Sequence, residues 1–307
     1  MKILVTGGAG FIGSNIQDRL IQEGHQVVVV DDLFSGRKEY INPKAKFYKV
    51  DIQTKDLEQV FAKERPEVVD HHAAHINVRE SVKNPIFDAQ VNILGTINLL
   101  ENCKKYKVKK VIFASTGGAL YGDTDVIPTP EDHPTKPISP YGITKLCIEN
   151  YLYYYKQVHG LDYVILRYAN VYGPRQDPYG EAGVVAIFTQ KLLANEQPII
   201  NGDGKQTRDY VFVEDVVDSN MLALTYKRSD IYNVGTGKET SVNELFRKLV
   251  DITGVSKPEK HGPPMPGEQR KSCLSFTKIK EKLGWKPKTG LDEGLEKTVE
   301  WFKNQLT

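Results

Sequence analysis

Cysteine is scarce in this chain: among 307 residues there are three, Cys103, Cys147 and Cys273. An odd number, widely spaced and in no C-x-x-C pattern, argues against a disulfide framework or a cysteine-built zinc site. It fits a reducing compartment, so the cytoplasm is the expected location. Long apolar runs are missing as well. The opening MKILVTGGAGFIG holds only Ile3, Leu4 and Val5 before its glycines, too short for the apolar centre of a signal peptide. No later run approaches the length that spans a bilayer. No targeting segment and no membrane partner are expected. Nor is there an excess of charge of one sign: 41 Lys and Arg face 39 Asp and Glu, for a net charge of +2. That balance supplies no field for binding nucleic acid or an anionic surface.

What is present suits a globular protein. With 40% hydrophobic and 26% charged residues, the chain can bury a sizeable core, and its length suits two domains. KILVTG, HQVVVVDD, KFYKVDI, EVVDHHAA and KKVIFAST are short β-branched runs, and GSNIQDRLIQEGH and VNILGTINLLENCKKYK between them repeat apolar residues at helical spacing. Alternation of this kind predicts a parallel sheet with helices on both faces. Near Pro174 the rhythm breaks and Pro and Gly thicken. TRDYVFVEDVVDSNMLAL and DIYNVG then read as a strand, a helix and a strand, which return the chain to the first domain before SVNELFRKLVDITG and TKIKEKLGW finish the second.

In TGGAGFIG, Gly7, Gly10 and Gly13 lie between the first strand and the first helix. Glycine there permits a tight turn and lets backbone approach a pyrophosphate, whose charge is stabilised by the helix N-terminus. Asp31 ends the next strand, eighteen residues after Gly13, where its carboxylate accepts from ribose hydroxyls. With Asp32 beside it, a 2′-phosphate would meet negative charge, so NAD is favoured over NADP, although Arg37 and Lys38 follow closely. The fold expected is therefore α/β: a Rossmann-type, doubly wound parallel sheet formed by residues 1–173 and 211–235. A smaller α/β C-terminal substrate domain is formed by 174–210 and 236–307.

The chemistry rests on SPYGITKLCIENY. Tyr141 and Lys145 are four residues apart, so on a helix they share a face. A free phenol titrates near 10, and holding it as phenolate at neutral pH takes roughly 4 kcal/mol of stabilisation. Lys145 and the cation of an oxidised nicotinamide are the sources available, which makes Tyr141 a base only with the cofactor bound. In VIFASTGGALYG, Ser115 and Thr116 sit at the carboxyl end of a strand, the edge where open parallel sheets bind ligands.

Together these motifs, with VNILGT, RYANVYGPR, TRDYVFVEDV and TKIKEKLGW, closely resemble the extended short-chain dehydrogenase/reductase superfamily. Within it the likeness is to the nucleotide-sugar epimerases, most of all the UDP-glucose 4-epimerase group. The resemblance runs nearly end to end. It implies that Thr116, rather than Ser115, holds the reacting oxygen while Tyr141 takes its proton, with Ser115 near the cofactor. It also implies that Phe11 and Ile12 lie over the diphosphate, Ser35 and Gly36 near the ribose, and Asp51 and Ile52 by the adenine. Ala73, Ala74 and His75 would lie beside the dinucleotide, Asn92 would face it, and Tyr168 would lie near the nicotinamide. For a UDP-sugar it implies diphosphate contacts from Asn170 and Arg208, with Arg270 substituting for an arginine that many relatives carry where this chain has Met265. Ser272 would border the sugar's second carbon, where its small side chain leaves room for an N-acetyl group.

Other readings make distinct demands. DHHAAH offers His71, His72 and His75 to a metal, but a strand end sends successive imidazoles to opposite faces and no carboxylate or cysteine completes a shell. No metal is expected. An epimerase of UDP-N-acetylglucosamine or UDP-glucuronate would keep the same set. A 4,6-dehydratase needs an acid and a base after the strand-end threonine, where Gly117 and Gly118 stand, and a non-catalytic dinucleotide-sensing regulator would have lost the tyrosine or the lysine. Tyr151, Tyr153, Tyr154 and Tyr155 cover more than one face of the Tyr141 helix. Without a basic groove beside them they point to a subunit interface, and a homodimer is expected.

Overall fold

The computed structural model describes residues 1–179, 183–265 and 269–306. Seven parallel strands form the central sheet: β1 (Lys2–Thr6), β2 (Gln26–Asp31), β3 (Lys46–Lys49), β4 (Val68–His71), β5 (Lys110–Thr116), β6 (Asp162–Tyr168) and β11 (Asp230–Val234). Their order is β11-β6-β5-β4-β1-β2-β3. The chain thus winds one way from β1 and the other way from β4. The crevice between those two strands, at their carboxyl ends, is the switch point where such sheets bind ligands.

The continuous apolar runs follow from burial on both faces. Val27 and Val29 pack with Ile16, Leu20, Val216 and Val217 on one side. Val28 and Val30 pack with Leu57, Phe61, Leu99 and Leu100 on the other. The long helix Pro140–His159 lies on this second side, with Ile148, Leu152 and Tyr155 in the core. Ser139 caps its first turn by accepting from the Gly142 amide at 3.2 Å, Pro140 opens it, and Gly160 at φ 72° ends it.

Three small sheets follow. β7 (Asn170–Tyr172) pairs with β10 (Tyr210–Phe212), β8 (Ile200–Asn201) pairs with β13 (His261–Gly262), and β9 (Thr207–Arg208) lies between β12 (Thr240–Ser241) and β14 (Lys271–Ser272). Phe188, Leu192, Leu245, Phe246, Leu249, Leu295 and Val299 give this smaller part a core of its own. Trp285 ties it to the sheet side, since its indole N–H donates to Asp215 O at 2.8 Å from a fully buried position. Truncating such a residue costs about 3–5 kcal/mol.

Candidate active site

Gly7 has φ 66°, and a Cβ there would lie 2.7 Å from Ala73 N; one at Gly13 would lie 2.4 Å from Gly7 O, and one at Gly10 3.2 Å from the same oxygen. The loop is therefore compressed against the segment after β4, which only glycine permits. The helix Phe11–Gln22 starts at Gly10 with no capping side chain and no acidic residue in its first turn. The Phe11, Ile12 and Gly13 amides point out of an uncapped, partially positive helix end. The Phe11 and Ile12 side chains pack against the smaller core and the sheet respectively, which leaves their amides as the groups presented.

Asp31 is nearly buried. Its carboxylate accepts from the Ala9 amide at 2.9 Å and the Leu33 amide at 2.8 Å, and burial raises its pKa against the lowering effect of those bonds. Gly36 is close enough that a Cβ would meet Asp31 Oδ1 at 2.7 Å, with Ser35 and Asp32 exposed next to it. Arg37 turns away, toward Tyr40 and Asp177. Asp51 accepts from the Gln53 amide at 2.8 Å. Ile52 is buried, and a Cβ at Gly95 would lie 3.0 Å from its Cδ1.

The three histidines after Asp70 part company. His71 is buried between Thr6 Oγ1 at 2.7 Å and Thr96 Oγ1 at 2.9 Å. Thr96 donates its own proton to Asn92 O, so His71 Nε2–H donates to Thr96 and Nδ1 accepts from Thr6. Burial, then the charges of Lys145 and His72, depress its pKa well below the usual range. His72 meets Asp70 at 2.8 Å and stacks on Tyr168. His75 turns to Asp88 at 3.4 Å, with its amide bonded to Asn92 Oδ1 at 2.8 Å. Ala73 and Ala74 lie half-buried between them.

On the far side of the crevice, Lys145 Nζ donates to Ala114 O at 2.8 Å and lies 5.8 Å from the centroid of the Tyr141 ring. Burial lowers the Lys145 pKa to about 8, opposed by the negative charges of Asp88 and Glu149. The Tyr141 phenol is pushed above its ordinary value by burial and by Asp88. The Thr116 hydroxyl accepts from the Ala119 amide at 3.3 Å. A Cβ placed on Gly118 would have Ser272 Oγ at 3.8 Å, Asn170 Oδ1 at 3.9 Å and Thr116 Oγ1 at 3.9 Å. Three residues remote in sequence thus converge on one small gap. Arg208 pairs in register with Ser272 across β9 and β14.

Four sequence expectations take a different form. Ser115 is buried and donates to Glu149 Oε1 at 2.6 Å, because strand alternation turns it to the face opposite Thr116. Asn92 is engaged by protein groups. A π-helical turn at Gln90–Leu94 buries it, and its amide group donates to His75 O at 3.0 Å and Asp88 Oδ1 at 3.1 Å. The Tyr168 hydroxyl is buried against Asn220. Arg270 makes a two-point pair with Asp203, at 3.0 and 3.2 Å. That pair borders an open cavity of about 700 Å³, also lined by Asn201, Gln206 and Met265. Pro266, Gly267 and Glu268 of the MPGEQR loop lie outside the described residues.

Sequence reasoning missed several residues. Asp209 accepts from Thr236 Oγ1 at 2.6 Å and from the Leu274 amide at 3.2 Å, tying the residue after β9 to the segment after β14. Glu149 pairs with Arg167 at 2.5 Å in the core. Its position eight residues after Tyr141 was a usable signal, since i, i+4 and i+8 share a helical face.

Residues 3–235 match the family described as the NAD dependent epimerase/dehydratase family. A UDP-glucose 4-epimerase of Mycolicibacterium smegmatis is 48% identical over 99% of each chain. The crystal structure of a UDP-glucose 4-epimerase from Thermotoga maritima with UDP-glucose superposes with a TM-score of 0.98 at 53% identity, covering 100% of both chains. That of the Thermus thermophilus UDP-glucose 4-epimerase in complex with NAD gives 0.94 at 44% identity, over 99% of both.

Proposed function

Because the chain belongs to the NAD dependent epimerase/dehydratase family, we propose that it is a UDP-glucose 4-epimerase, interconverting UDP-glucose and UDP-galactose through a 4-keto sugar. The observation that carries this reading is the convergence of Thr116, Asn170 and Ser272 on the gap at Gly118, with the Tyr141–Lys145 pair on the adjoining helix.

The residues fit NAD: a glycine loop with no room for a side chain, an uncapped helix end for the diphosphate, and Asp31 with Asp32 where an adenosine ribose would lie. Gly7, Gly10 and Gly13 with the Phe11 and Ile12 amides hold the diphosphate. Asp31, Asp32, Ser35 and Gly36 hold the ribose, Asp51 borders the adenine, and Ala73 and Ala74 allow close approach. When bound, oxidised NAD supplies a reversible hydride acceptor whose positive charge favours a nearby phenolate. Tyr141 takes the proton from the sugar's 4-hydroxyl and later returns it, Thr116 hydrogen-bonds the same oxygen, and Lys145 keeps a cation beside the phenol. Arg208, from the part formed by 174–210 and 236–307, and Asn170, from the part formed by 1–173 and 211–235, grip the diphosphate of the UDP-sugar, and Arg270 joins them only by leaving Asp203.

Two features weigh against dehydration. A Cβ at Gly117 would lie 2.3 Å from the Leu274 side chain, so that place has no room for a carboxylate, and glycine moves no proton. A homodimer through the helices of Tyr141 and Leu94 is favoured by the exposed Ile86, Leu94, Ile143, Tyr154 and Val158. Three free thiols agree with a cytoplasmic location.

Incubating the purified protein with UDP-galactose and with UDP-glucose, separately and without added NAD, tests the reading. Each is expected to yield the other. No interconversion, or NADH accumulating in proportion to added NAD, would overturn it.

A further inference from the structure

Asp88 is fully buried beside the Tyr141 helix and belongs to none of the roles above. Its Oδ2 accepts from the Thr144 hydroxyl at 3.2 Å, and its Oδ1 accepts from the Asn92 amide at 3.1 Å and faces His75 Nδ1 at 3.4 Å. Thr144 sits in the helical turn between Tyr141 and Lys145, and its single hydroxyl proton is shared between Asp88 and Tyr141 O, which lies 2.9 Å away. We propose that Asp88 is a positioning residue: a buried carboxylate, anchored by Asn92, that fixes this turn through Thr144 and sets the electrostatic field in which Tyr141 gains and loses its proton beside the Lys145 cation.

The charges around the pair leave Asp88 in this role. On the same helix, Glu149 is close to Lys145 but is held by the Arg167 guanidinium at 3.0 and 2.5 Å. From β4, His71 is a neutral hydrogen-bonded imidazole. From β5, Ala114 presents only a carbonyl and Phe113 only a ring, 4.8 Å from Nζ. From the helix preceding Asp88, Glu80 and Lys83 pair with each other at 3.6 Å near the surface, and Arg79 is exposed. His75 is the titratable group in direct contact with Asp88. A negative charge favours the protonated form of every neighbour, so Asp88 supports the Lys145 cation and holds Tyr141 as a phenol. For Tyr141 the charge of Asp88 adds to the upward push of burial, and for Lys145 it opposes the larger downward push of burial.

The proposal rests on the epimerase reading for its kinetic consequence but not for its electrostatic one, and the test separates the two. Asp88→Asn keeps the shape and removes the charge. With lysine labelled at Cε, and the Lys145 resonance assigned by its absence in Lys145→Arg, NMR titration should place the Lys145 midpoint in Asp88→Asn about one pH unit below that of the wild type. The pH profile of epimerisation should move the same way on both limbs. Removing a negative charge lowers both the pKa that frees Tyr141 and the pKa at which Lys145 is lost. Should Asp88→Asn fail to fold, Asp88→Ser carries the same expectation. Thr144→Val keeps the charge and removes the hydrogen bond, so it should lower kcat without displacing the profile. An unmoved Lys145 midpoint in the neutral variant overturns the proposal, as does an equal displacement in Thr144→Val. Absence of activity in the wild type would instead count against the epimerase reading and leave the Lys145 titration decisive for Asp88.

Discussion

Ser115 and Thr116 are adjacent on β5, yet their hydroxyls go to opposite faces: Ser115 donates to Glu149 in the core, and Thr116 opens toward the gap at Gly118. The division predicts opposite phenotypes. Ser115→Ala should lose about 1.5–3 kcal/mol in urea unfolding, the value of a hydrogen bond to a charged acceptor, while retaining most of its kcat. Thr116→Ala should fold normally and lose about 100-fold or more in kcat, as when one donor to a reacting oxygen is removed. Comparable kcat losses in both would mean that the two hydroxyls act together.

Tyr141→Phe removes the proposed base and should cost about 10²–10⁴ in kcat with little change in unfolding midpoint. The pH dependence has a definite sign. Burial brings the Lys145 pKa down to about 8, so its cation is present below that pH and lost as pH rises through it. Activity should therefore fall on the alkaline side with a midpoint at or below about 8, measured as kcat against pH. A profile flat to pH 10 would show that the Lys145 charge is not required.

The glycine loop predicts retained cofactor. Denaturing the purified protein should release close to one NAD(H) per chain, separable by chromatography from NADP(H). Gly13→Ala puts a methyl group 2.4 Å from Gly7 O and should abolish that content while lowering stability by about 1–3 kcal/mol. Gly290→Ala, where a Cβ has no neighbour within 4 Å, is the control and should change neither.

Much of this arrangement was legible in the sequence because it depends on local periodicity. The β-branched runs, the glycine spacing, Asp31 at a strand end and the Tyr141–Lys145 interval each encode a contact made within a few residues or one strand–helix unit. What was not legible depends on which face a residue takes once strands and helices pack. Strand alternation sends Ser115 inward, and a π-helical turn, which adds a residue to the helix period, rotates Asn92 into the core. Asp88 and Asp209 gave no signal, because an isolated aspartate reads as surface until the fold buries it among donors. Arg270 was placed by analogy with a lost arginine, and its position beside Asp203 is set by the turn around Gly202 and Gly204.

The choice of sugar turns on Ser272. Its Oγ would lie 3.8 Å from a Cβ on Gly118, with Asn170 Oδ1 and Thr116 Oγ1 at 3.9 Å, so the proposed sugar site is bounded there by a hydroxymethyl group and by a residue without a side chain. An N-acetyl group at the sugar's second carbon needs room of that kind, and UDP-N-acetylglucosamine is expected to be epimerised alongside UDP-glucose. Ser272→Tyr would fill the gap with a ring and should lower kcat/KM for the N-acetyl substrate by tenfold or more, on the order of 1–3 kcal/mol of lost fit, while affecting UDP-glucose less. Gly118→Val narrows the same gap from the opposite wall and should select in the same direction. Competition between the two substrates, followed in the wild type and in each variant, measures the ratio directly. If the wild type rejects the N-acetyl sugar and Ser272→Tyr leaves the ratio unchanged, Ser272 does not border the second carbon, and another residue closes the pocket.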